Sequence, residues 1–431
     1  MNIAAYPKYD EYSDSGVQWV GHFPANWELA RLGGLFEERR QKVSDTDFEP
    51  LSVTKNGIFP QLATAAKTND GDNRKLVRAG DFVINSRSDR KGSSGVSPLD
   101  GSVSLINIVL EPKRILPEFC HHLLKSYAFV EEYYRVGRGI VADLWTTRYD
   151  EMRTILVALP SPKEQRAIAA FLDGKCATID EAVRIKEAQI RLLAERRQIL
   201  VQQAVTRGLN PAAPMKDSGI DWIGQIPAHW EVLKLRNMGS FQNGISEAAD
   251  YFGSGHPFIT YGDVFNNEIL PENASGLAKS DSRAQALYSV KAGDIFFTRT
   301  SEVASEIGIA SAATSDIPKA TFSGFLIRFR PKVGSIVPEF ARFLFRSDYV
   351  RVFFAHEVNI VTRASLGQEL LKNLPVFAPP PDEQVRIATW LEGKTQDLDG
   401  AIDFKKSQIT ALREYKTSLI NAAVTGKIKL V

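Results

Sequence analysis

The sequence predicts an α+β protein with approximate two-fold symmetry, in which two tandem globular domains are joined by two long helices that pair as an antiparallel coiled coil. One unit of the 431-residue chain occurs twice, each copy mixes short β-rich runs with short helices, and each copy ends in a long heptad pattern. Each copy is long enough to bury a core of its own, so the repeat predicts two domains. The predicted boundaries are 1–161 and 216–380 for the domains, 162–207 and 381–431 for the helices and the C-terminal tail, and 208–215 for the linker.

Two motifs carry the repeat. Residues 14–28, Asp-Ser-Gly-Val-Gln-Trp-Val-Gly-His-Phe-Pro-Ala-Asn-Trp-Glu, return at 217–231 as Asp-Ser-Gly-Ile-Asp-Trp-Ile-Gly-Gln-Ile-Pro-Ala-His-Trp-Glu. A Pro-x-Glu-Gln motif at 162–165 returns at 381–384, each time at the start of a helical pattern. Two similar surfaces in one chain match a partner that itself has approximate two-fold symmetry, such as duplex DNA. The tryptophans of the first motif belong to the repeated part, and we expect all four to anchor the cores: Trp19, Trp27, Trp222 and Trp230.

Composition restricts the partners and the compartment. The formal net charge of +2 argues against an indiscriminate polybasic nucleic-acid binder and is compatible with local basic patches. Residues 1–10 lack the apolar segment of a secretory signal, and no apolar run reaches the ~18 residues of a membrane helix. The two cysteines, Cys120 and Cys176, cannot form a disulfide framework. We therefore expect reduced, buried thiols and a cytoplasmic protein.

Within each domain, the elements are predicted to follow the same order. Short β-rich runs at 81–84 and 294–297 follow Ala-Gly turns. A helix is predicted to follow at Pro117 and again at Pro338, since a proline near the first helical turn loses no hydrogen bond. The intervening parts of the two copies show little similarity, and if they bind DNA they should read different sequences.

Two helices of about 44 residues, each ~65 Å long, are predicted over 163–207 and 382–426. Apolar side chains recur there with alternating spacings of three and four residues, which is the seam of a coiled coil. Lys186 and Lys405 interrupt the two seams at matching places. Each lysine either extends to solvent with no special role or fixes the register and orientation of the helix pair. The predicted seam includes Leu172, Ile179, Lys186, Ile190, Leu193, Leu200, Leu391, Leu398, Lys405, Ile409, Leu412 and Leu419.

Catalytic motifs are weak in this sequence. Asp100 and the later Glu111-Pro112-Lys113 have the spacing of a metal-dependent nuclease, in which carboxylates hold Mg²⁺. The second copy has Arg330 where the first has Glu111, which argues against that interpretation. Cys120-His121-His122 lies in a predicted helix, where adjacent side chains point in different directions and do not share a metal. We therefore predict neither a catalytic site nor a metal site.

Polar and basic loops provide the candidate contacts with nucleic acid. Arginine can clamp phosphates or read guanine, and hydroxyl and amide side chains serve both purposes. The principal candidate follows the first Gly-Asp strand, and its counterpart follows the second. An ordinary solvated loop is the alternative interpretation of each. The candidate residues are Asn85, Ser86, Arg87, Arg90, Lys91, Arg135, Arg138, Tyr261, Asn266, Thr298, Arg299, Thr300 and Arg363.

The ordered, duplicated motifs together resemble the specificity subunit of type I restriction–modification systems, over nearly the whole chain. Phe23 departs from the Ile or Leu usual in the first motif, a conservative change. The resemblance implies two target recognition domains that each dock one half of a split double-stranded DNA site in the major groove. It also implies that the helices act as a spacer and as the platform for two modification (DNA-adenine methyltransferase) subunits, to which restriction subunits are added. S-adenosylmethionine, ATP and Mg²⁺ are then expected on those partner subunits and not on this chain.

Three functions follow from these observations. The first is a non-catalytic reader of an asymmetric, bipartite DNA sequence that also assembles the complex. The second is a self-sufficient DNA-modifying enzyme, either a nuclease or a methyltransferase. The third is a coiled-coil adaptor with no role on DNA. Activity of the chain alone and salt-dependent DNA binding distinguish the three.

Overall fold

The computed structural model describes residues 3–62, 71–139, 145–301, 306–357 and 364–430. The chain forms two compact units, Met1–Glu187 with Lys406–Val431, and Ala188–Lys405. Each unit therefore contains one globular domain and one half of each long helix. No helix within the described ranges is long and apolar enough to cross a membrane.

The first unit is a small α+β domain. Its strands are β1 Tyr12–Asp14, β2 His22–Pro24, β3 Glu28–Arg31, β4 Phe36–Glu38, β5 Lys42–Val43, β6 Leu51–Thr54, β7 Gly57–Pro60, β8 Arg74–Val77, β9 Phe82–Asn85, β10 Ser94–Val96, β11 Gly101–Ser104, β12 Asn107–Pro112 and β13 Leu156–Leu159. Its helices are α1 Pro117–Lys125, α2 Tyr127–Arg135, α3 Tyr149–Met152 and the first half of α4 Pro162–Arg207.

The second unit repeats this order with local insertions. Its strands are β14 Met215–Asp217, β15 Gln225–Pro227, β16 Glu231–Lys234, β17 Gly239–Asn243, β18 Phe252–Ile259, β19 Gly276–Ala278, β20 Ile295–Thr298, β21 Thr300–Ser301, β22 Ala310–Ala312, β23 Thr321–Phe322, β24 Leu326–Pro331, β25 Ala364–Ser365 and β26 Pro375–Ala378. Its helices are α5 Tyr261–Phe265, α6 Ser282–Leu287, α7 Pro338–Leu344, α8 Asp348–Glu357, α9 Gln368–Asn373 and the first half of α10 Pro381–Val424.

An antiparallel four-stranded sheet lies at the centre of each domain. The strand order is β10-β9-β12-β4 in the first and β22-β20-β24-β17 in the second, so the central strands correspond one to one. The turns that precede β9 and β20 contain Gly80 and Gly293, with φ of 94° and 89°. Because side chains with a Cβ rarely adopt this conformation, the repeated glycine is explained by the turn.

The predicted order of elements is confirmed, with helices beginning at Pro117 and Pro338. The domain helices pack on the sheets through fully buried aromatic residues such as Phe119 and Phe340. Each domain core continues onto the long helices through apolar residues of α4 and α10, among them Leu172 and Leu419 in the first unit and Val201 and Leu391 in the second.

The heptad prediction is confirmed by burial along both long helices. Helix α4 has 46 residues and α10 has 44. Every predicted seam position is buried or half-buried: Leu172, Ile179, Lys186, Ile190, Leu193, Leu200, Leu391, Leu398, Lys405, Ile409, Leu412 and Leu419. Most of the residues that directly flank these positions are exposed, which is typical of a helix that packs along one stripe.

Polar contacts show that the two helices run antiparallel within the first unit. Lys416 on α10 donates to both carboxylate oxygens of Asp180 on α4, each at 2.7 Å. Farther along α4, Lys186 Nζ donates to Gln408 Oε1 at 2.6 Å. The α10 partner moves back along the chain as α4 advances, so the helix directions are opposite. The predicted antiparallel pairing is thus confirmed.

Lys186 is the seam residue whose replacement should distinguish its two interpretations. Changing Lys186 and Lys405 together to leucine should raise the midpoint of chemical denaturation, because two cations leave a partly buried seam. The same change should allow more than one register, since the Lys186–Gln408 hydrogen bond is lost. Disulfide trapping with Asp180→Cys and Lys416→Cys measures the register. The yield of this disulfide should be lower in the leucine variant than in the protein that keeps Lys186 and Lys405. An undiminished single product would show that the lysines have no role in register.

The prediction that all four tryptophans of the first motif anchor the cores is wrong for Trp222. Trp27 and Trp230 are buried as expected, and Trp19 is half-buried. Trp222, however, is 42% exposed. Trp222 lies in the turn between β14 and β15, whereas Trp19 in the equivalent turn packs edge-on against Phe129 with ring centroids 6.0 Å apart.

Candidate nucleic-acid interface

A buried ion pair fixes the turn that leads into β9. Arg39 donates to both carboxylate oxygens of Asp81, at 2.8 and 3.1 Å, and Asp81 also accepts the Arg78 backbone N–H at 2.8 Å. Asp81 is almost completely buried. The contact with Asp81 raises the pKa of Arg39. This network holds the strand whose far end carries the first candidate loop.

The second domain builds the same turn with an arginine from a different strand. Arg330 on β24 donates to both oxygens of the fully buried Asp294, each at 2.6 Å, and the Lys291 N–H donates to Asp294 at 2.8 Å. Arg330 corresponds to Glu111 in the first copy, where Glu111 instead contacts Arg39 at 3.1 Å. Glu111 in the first copy and Arg330 in the second therefore differ because each domain supplies its arginine from a different place in the sheet.

The side chains of the nuclease-like and metal-like motifs are buried or form local contacts. Glu111 lies 2.6 Å from Lys113, and Asp100 caps the Ala79 N–H at 2.8 Å. Cys120 is fully buried, and burial raises the pKa of its thiol. His122 Nε2 lies 2.7 Å from Asp173 Oδ1. Among the residues that the structure describes, no three His, Cys, Asp or Glu side chains are grouped so as to hold a metal ion.

The glutamines of the repeated Pro-x-Glu-Gln motif join each long helix to its domain in the same way. Gln165 Oε1 accepts the Leu116 N–H at 2.9 Å while its Nε2 donates to the Pro160 carbonyl at 2.9 Å. Gln384 makes the same two bonds, to Val337 and Pro379, each at 2.9 Å. Both glutamines are 1% exposed. The motif is repeated because one side chain satisfies the N–H at the start of a domain helix and the carbonyl before a long helix.

Two of the predicted contact residues in the first domain lie inside it. Asn85 is the last residue of β9, and its Oδ1 accepts the Arg87 N–H at 3.0 Å. Ser86 is also buried, and its backbone bonds to Ile106 and Thr147. Both side chains are buried, and their contact with DNA stays a prediction. Asn85 shapes the loop that Arg87 begins.

The structure brings the two basic loops of the first domain together. Thr146 forms β-bridges with both Arg87 and Arg138, and the Arg138 N–H donates to the Thr146 carbonyl at 2.9 Å. The Tyr134 hydroxyl donates to the Arg87 carbonyl at 3.0 Å. Burial raises the pKa of Tyr134 to about 12, so the hydroxyl keeps its proton at neutral pH. Loops that are distant in sequence thus form one surface.

Four cations face outward on this surface, which we call the basic edge: Arg87, Arg90, Lys91 and Arg138. The Arg90 and Arg138 side chains are 69% and 84% exposed, with carboxylates at 3.7 and 3.5 Å. Lys91 pairs with Glu131 at 2.8 Å and lies over the Tyr134 ring. Arg135 is held by a bidentate contact with Glu132. Arg90 and Arg138 are therefore more available to a phosphate than Lys91 and Arg135.

The second domain joins equivalent segments but carries different side chains. Thr300 pairs with Ser365 between β21 and β25, and the Leu366 N–H donates to the Arg299 carbonyl at 2.7 Å. Arg299 and Thr300 are half-buried. Thr298 is fully buried and accepts the Ile309 N–H, and its contact with DNA stays a prediction. Arg363 lies outside the described residues.

The remaining candidates belong to the short helix α5. Tyr261 stacks on Phe265 with ring centroids 5.7 Å apart, and Asn266 is exposed at the end of the helix. Arg346 fixes this end by donating to the carbonyls of Val264 and Asn267. Among the residues that the structure describes, the first domain has no counterpart of this helix.

Sequence reasoning missed Tyr134, Trp145 and Thr146. Trp145 Nε1 donates to the Tyr134 carbonyl at 2.8 Å, and Thr146 bridges the two basic loops. The second copy has Ala364 and Ser365 at the places of Trp145 and Thr146, so the repeat carried no signal for the first domain's aromatic residue. Periodicity alone also does not reveal a single β-bridge between distant loops.

Comparisons with known proteins confirm the resemblance drawn from the motifs. Residues 227–413 match the family described as type I restriction modification DNA specificity domain. The chain is 23% identical over 427 residues to the type I restriction enzyme MjaVIII specificity subunit of Methanocaldococcus jannaschii, covering 94% of each protein. It is also 23% identical over 400 residues to the EcoDI specificity subunit of Escherichia coli, covering 86% of this chain and 82% of that one.

Solved structures share the fold. A chain from a study of complex assembly and conformational transition of the type I R-M system aligns with a TM-score of 0.73 at 17% identity, covering 93% of this chain and 98% of that one. The HsdS subunit from Thermoanaerobacter tengcongensis aligns with a TM-score of 0.55 at 18% identity, with coverage of 94% and 98%. These likenesses support the predicted α+β architecture with long helices.

Proposed function

We propose, from the place of this chain among the type I restriction–modification specificity subunits, that it is the DNA-recognition subunit of such a complex. The target is an asymmetric, bipartite sequence in double-stranded DNA. The carrying observation is that the two domains share buried supporting contacts, at Gln165 and Gln384, but expose different side chains at equivalent loops. A shared frame with divergent loops suits two readers of different half-sites.

The charges of the interface support backbone contacts as the main source of affinity. Arg90 and Arg138 extend from a surface whose backbone is fixed by β-bridges. Phosphate contacts position a protein on duplex DNA, whereas contacts with base edges carry the specificity. The second domain presents Arg299 and Thr300 on the equivalent surface, and a half-buried arginine suits fewer phosphate contacts. The two domains therefore differ in charge as well as in sequence.

The partners and cofactors form part of the proposal. The modification subunits bring S-adenosylmethionine, and the restriction subunits bring ATP and Mg²⁺, while this chain recognises DNA and assembles the complex without catalysing a reaction. Within the described part of the chain, no three His, Cys, Asp or Glu side chains are grouped so as to hold a metal ion. The self-sufficient enzyme is disfavoured by Glu111 and Asp100, whose carboxylates are engaged by Lys113 and by the Ala79 N–H.

Mapping of methylated adenines tests this function. A host that expresses the chain with its modification subunit should acquire methylation at one motif made of two different half-sites separated by unread base pairs. A host that expresses the modification subunit alone is the control and should lack that motif. A continuous or palindromic motif would contradict the two-reader proposal. Methylation or cleavage by the purified chain alone would instead support the self-sufficient enzyme.

A further inference from the structure

An exposed apolar side chain lies at an equivalent turn in both domains. Ile106, in the turn between β11 and β12, is 39% exposed, and Phe325, in the turn between β23 and β24, is 60% exposed. Both turns lead into the central strand of their sheet, β12 or β24. Single exposed apolar residues are common on proteins, but an equivalent position in two diverged copies requires a reason.

The same hydrogen bond attaches each of these residues to its candidate loop. The Ser86 N–H donates to the Ile106 carbonyl at 3.2 Å, and the Arg299 N–H donates to the Phe325 carbonyl at 2.8 Å. Ile106 is thereby adjacent to the loop that carries Arg87, and Phe325 is adjacent to Arg299 and Thr300. Each apolar side chain belongs to the surface for which DNA binding is proposed.

The turn that carries Phe325 is rigid. The Phe325 N–H donates to Ser323 Oγ at 3.2 Å, and the Gly324 N–H donates to the Ile245 carbonyl at 2.7 Å. A Cβ at Gly324 would lie 2.0 Å from Ser246 Oγ and 2.9 Å from the Ile245 carbonyl oxygen, so glycine favours this close approach. The aromatic ring is thus held in solvent on a fixed backbone, which reduces the entropy lost when it contacts a ligand.

We propose that Ile106 and Phe325 each contact the methyl group of a thymine in the major groove of their half-site. This inference rests on the proposed function. Isoleucine and phenylalanine share apolar surface and no hydrogen-bonding group, so their common ligand must be apolar. The thymine C5-methyl is the apolar group that base edges present in the major groove. Neighbouring cations hold the phosphates while these side chains distinguish thymine from cytosine.

Replacement of thymine by uracil in the target duplex tests the contact, because uracil lacks only the methyl group. The assembled complex of this chain with its modification subunits is measured on the target defined by methylation mapping. One thymine-to-uracil change in each half-site should weaken binding about fourfold, the effect of losing one buried methyl group. The variant Phe325→Ala should bind about tenfold more weakly, because it loses the burial of part of an aromatic side chain. It should also lose its sensitivity to uracil in one half-site only, and Ile106→Ala should do so in the other.

Matched controls separate this effect from misfolding. Val333 is fully exposed just beyond the opposite end of β24, and Leu99 is exposed before the opposite end of β11. Val333→Ala and Leu99→Ala should keep both the affinity and the sensitivity to uracil. If the unmodified complex reads a bipartite target but Phe325→Ala remains as sensitive to uracil, the thymine contact is refuted and the proposed function stands. If the unmodified complex has no specific target, the proposed function itself fails.

Discussion

Replacement of Asp294 by alanine is expected to lower the free energy of unfolding of the second unit by about 3–5 kcal/mol, the cost of breaking a buried ion pair from one side. Asp294 is fully buried and accepts hydrogen bonds from Nε and Nη2 of Arg330 and from the Lys291 N–H. Its loss leaves a partly buried guanidinium without its carboxylate and a turn N–H without its acceptor. Urea denaturation of the purified chain, followed by tryptophan fluorescence, measures the change.

Asp316 provides a matched control because, from the segment between β22 and β23, it bonds to the same turn. Its carboxylate is exposed and accepts only the Ala292 N–H, at 2.7 Å. Asp316→Ala should therefore cost about 1 kcal/mol, the net value of one exposed hydrogen bond. The double variant Asp294→Leu with Arg330→Met should recover much of the loss, because no unpaired charge remains. Equal effects of Asp294→Ala and Asp316→Ala would show that the buried ion pair contributes no more than an ordinary surface contact.

The ion pair of Asp294 with Arg330 shows which parts of the fold the sequence could predict and which it could not. The repeat predicted two domains with the same turn, and Gly80 with Gly293 occupies it as expected. The arginine could not be predicted, because Arg39 directly follows β4 whereas Arg330 lies in β24. Comparison of the two copies at matching positions pairs Glu111 with Arg330 and suggests a lost function. The contact is in fact retained, through a different strand.

Heptads were predictable because a seam imposes the same spacing on every turn of a helix, and no single residue decides the result. The candidate interface was less predictable, because strands β9 and β20 extend one residue beyond the β-rich runs and end at Asn85 and Thr298. The side chains of both are consequently turned into the domain. A polar loop in a sequence does not reveal which of its side chains face inward, and that requires the neighbouring strand.

Removal of two cations from the basic edge, Arg90→Ala with Arg138→Ala, is expected to weaken binding of the assembled complex to its target by about 10–100-fold at physiological salt. The two guanidinium groups are largely exposed and have only distant carboxylate partners. They are thus free to replace counterions along the phosphate backbone. Titration of binding across a range of salt concentrations should show a slope smaller by about 1.8, since each phosphate contact contributes about 0.9.

The salt slope decides what kind of contact the basic edge makes. Backbone contacts predict that specific and non-specific DNA lose affinity equally, because phosphates carry no sequence information. Base contacts predict instead a preserved slope and a relaxed requirement at one position of a half-site. Arg31→Ala with Arg114→Ala removes two exposed arginines elsewhere in the first unit and should leave the slope unchanged. A reduced slope in both double variants would mean that net charge, rather than the edge formed by Arg87, Arg90, Lys91 and Arg138, governs binding.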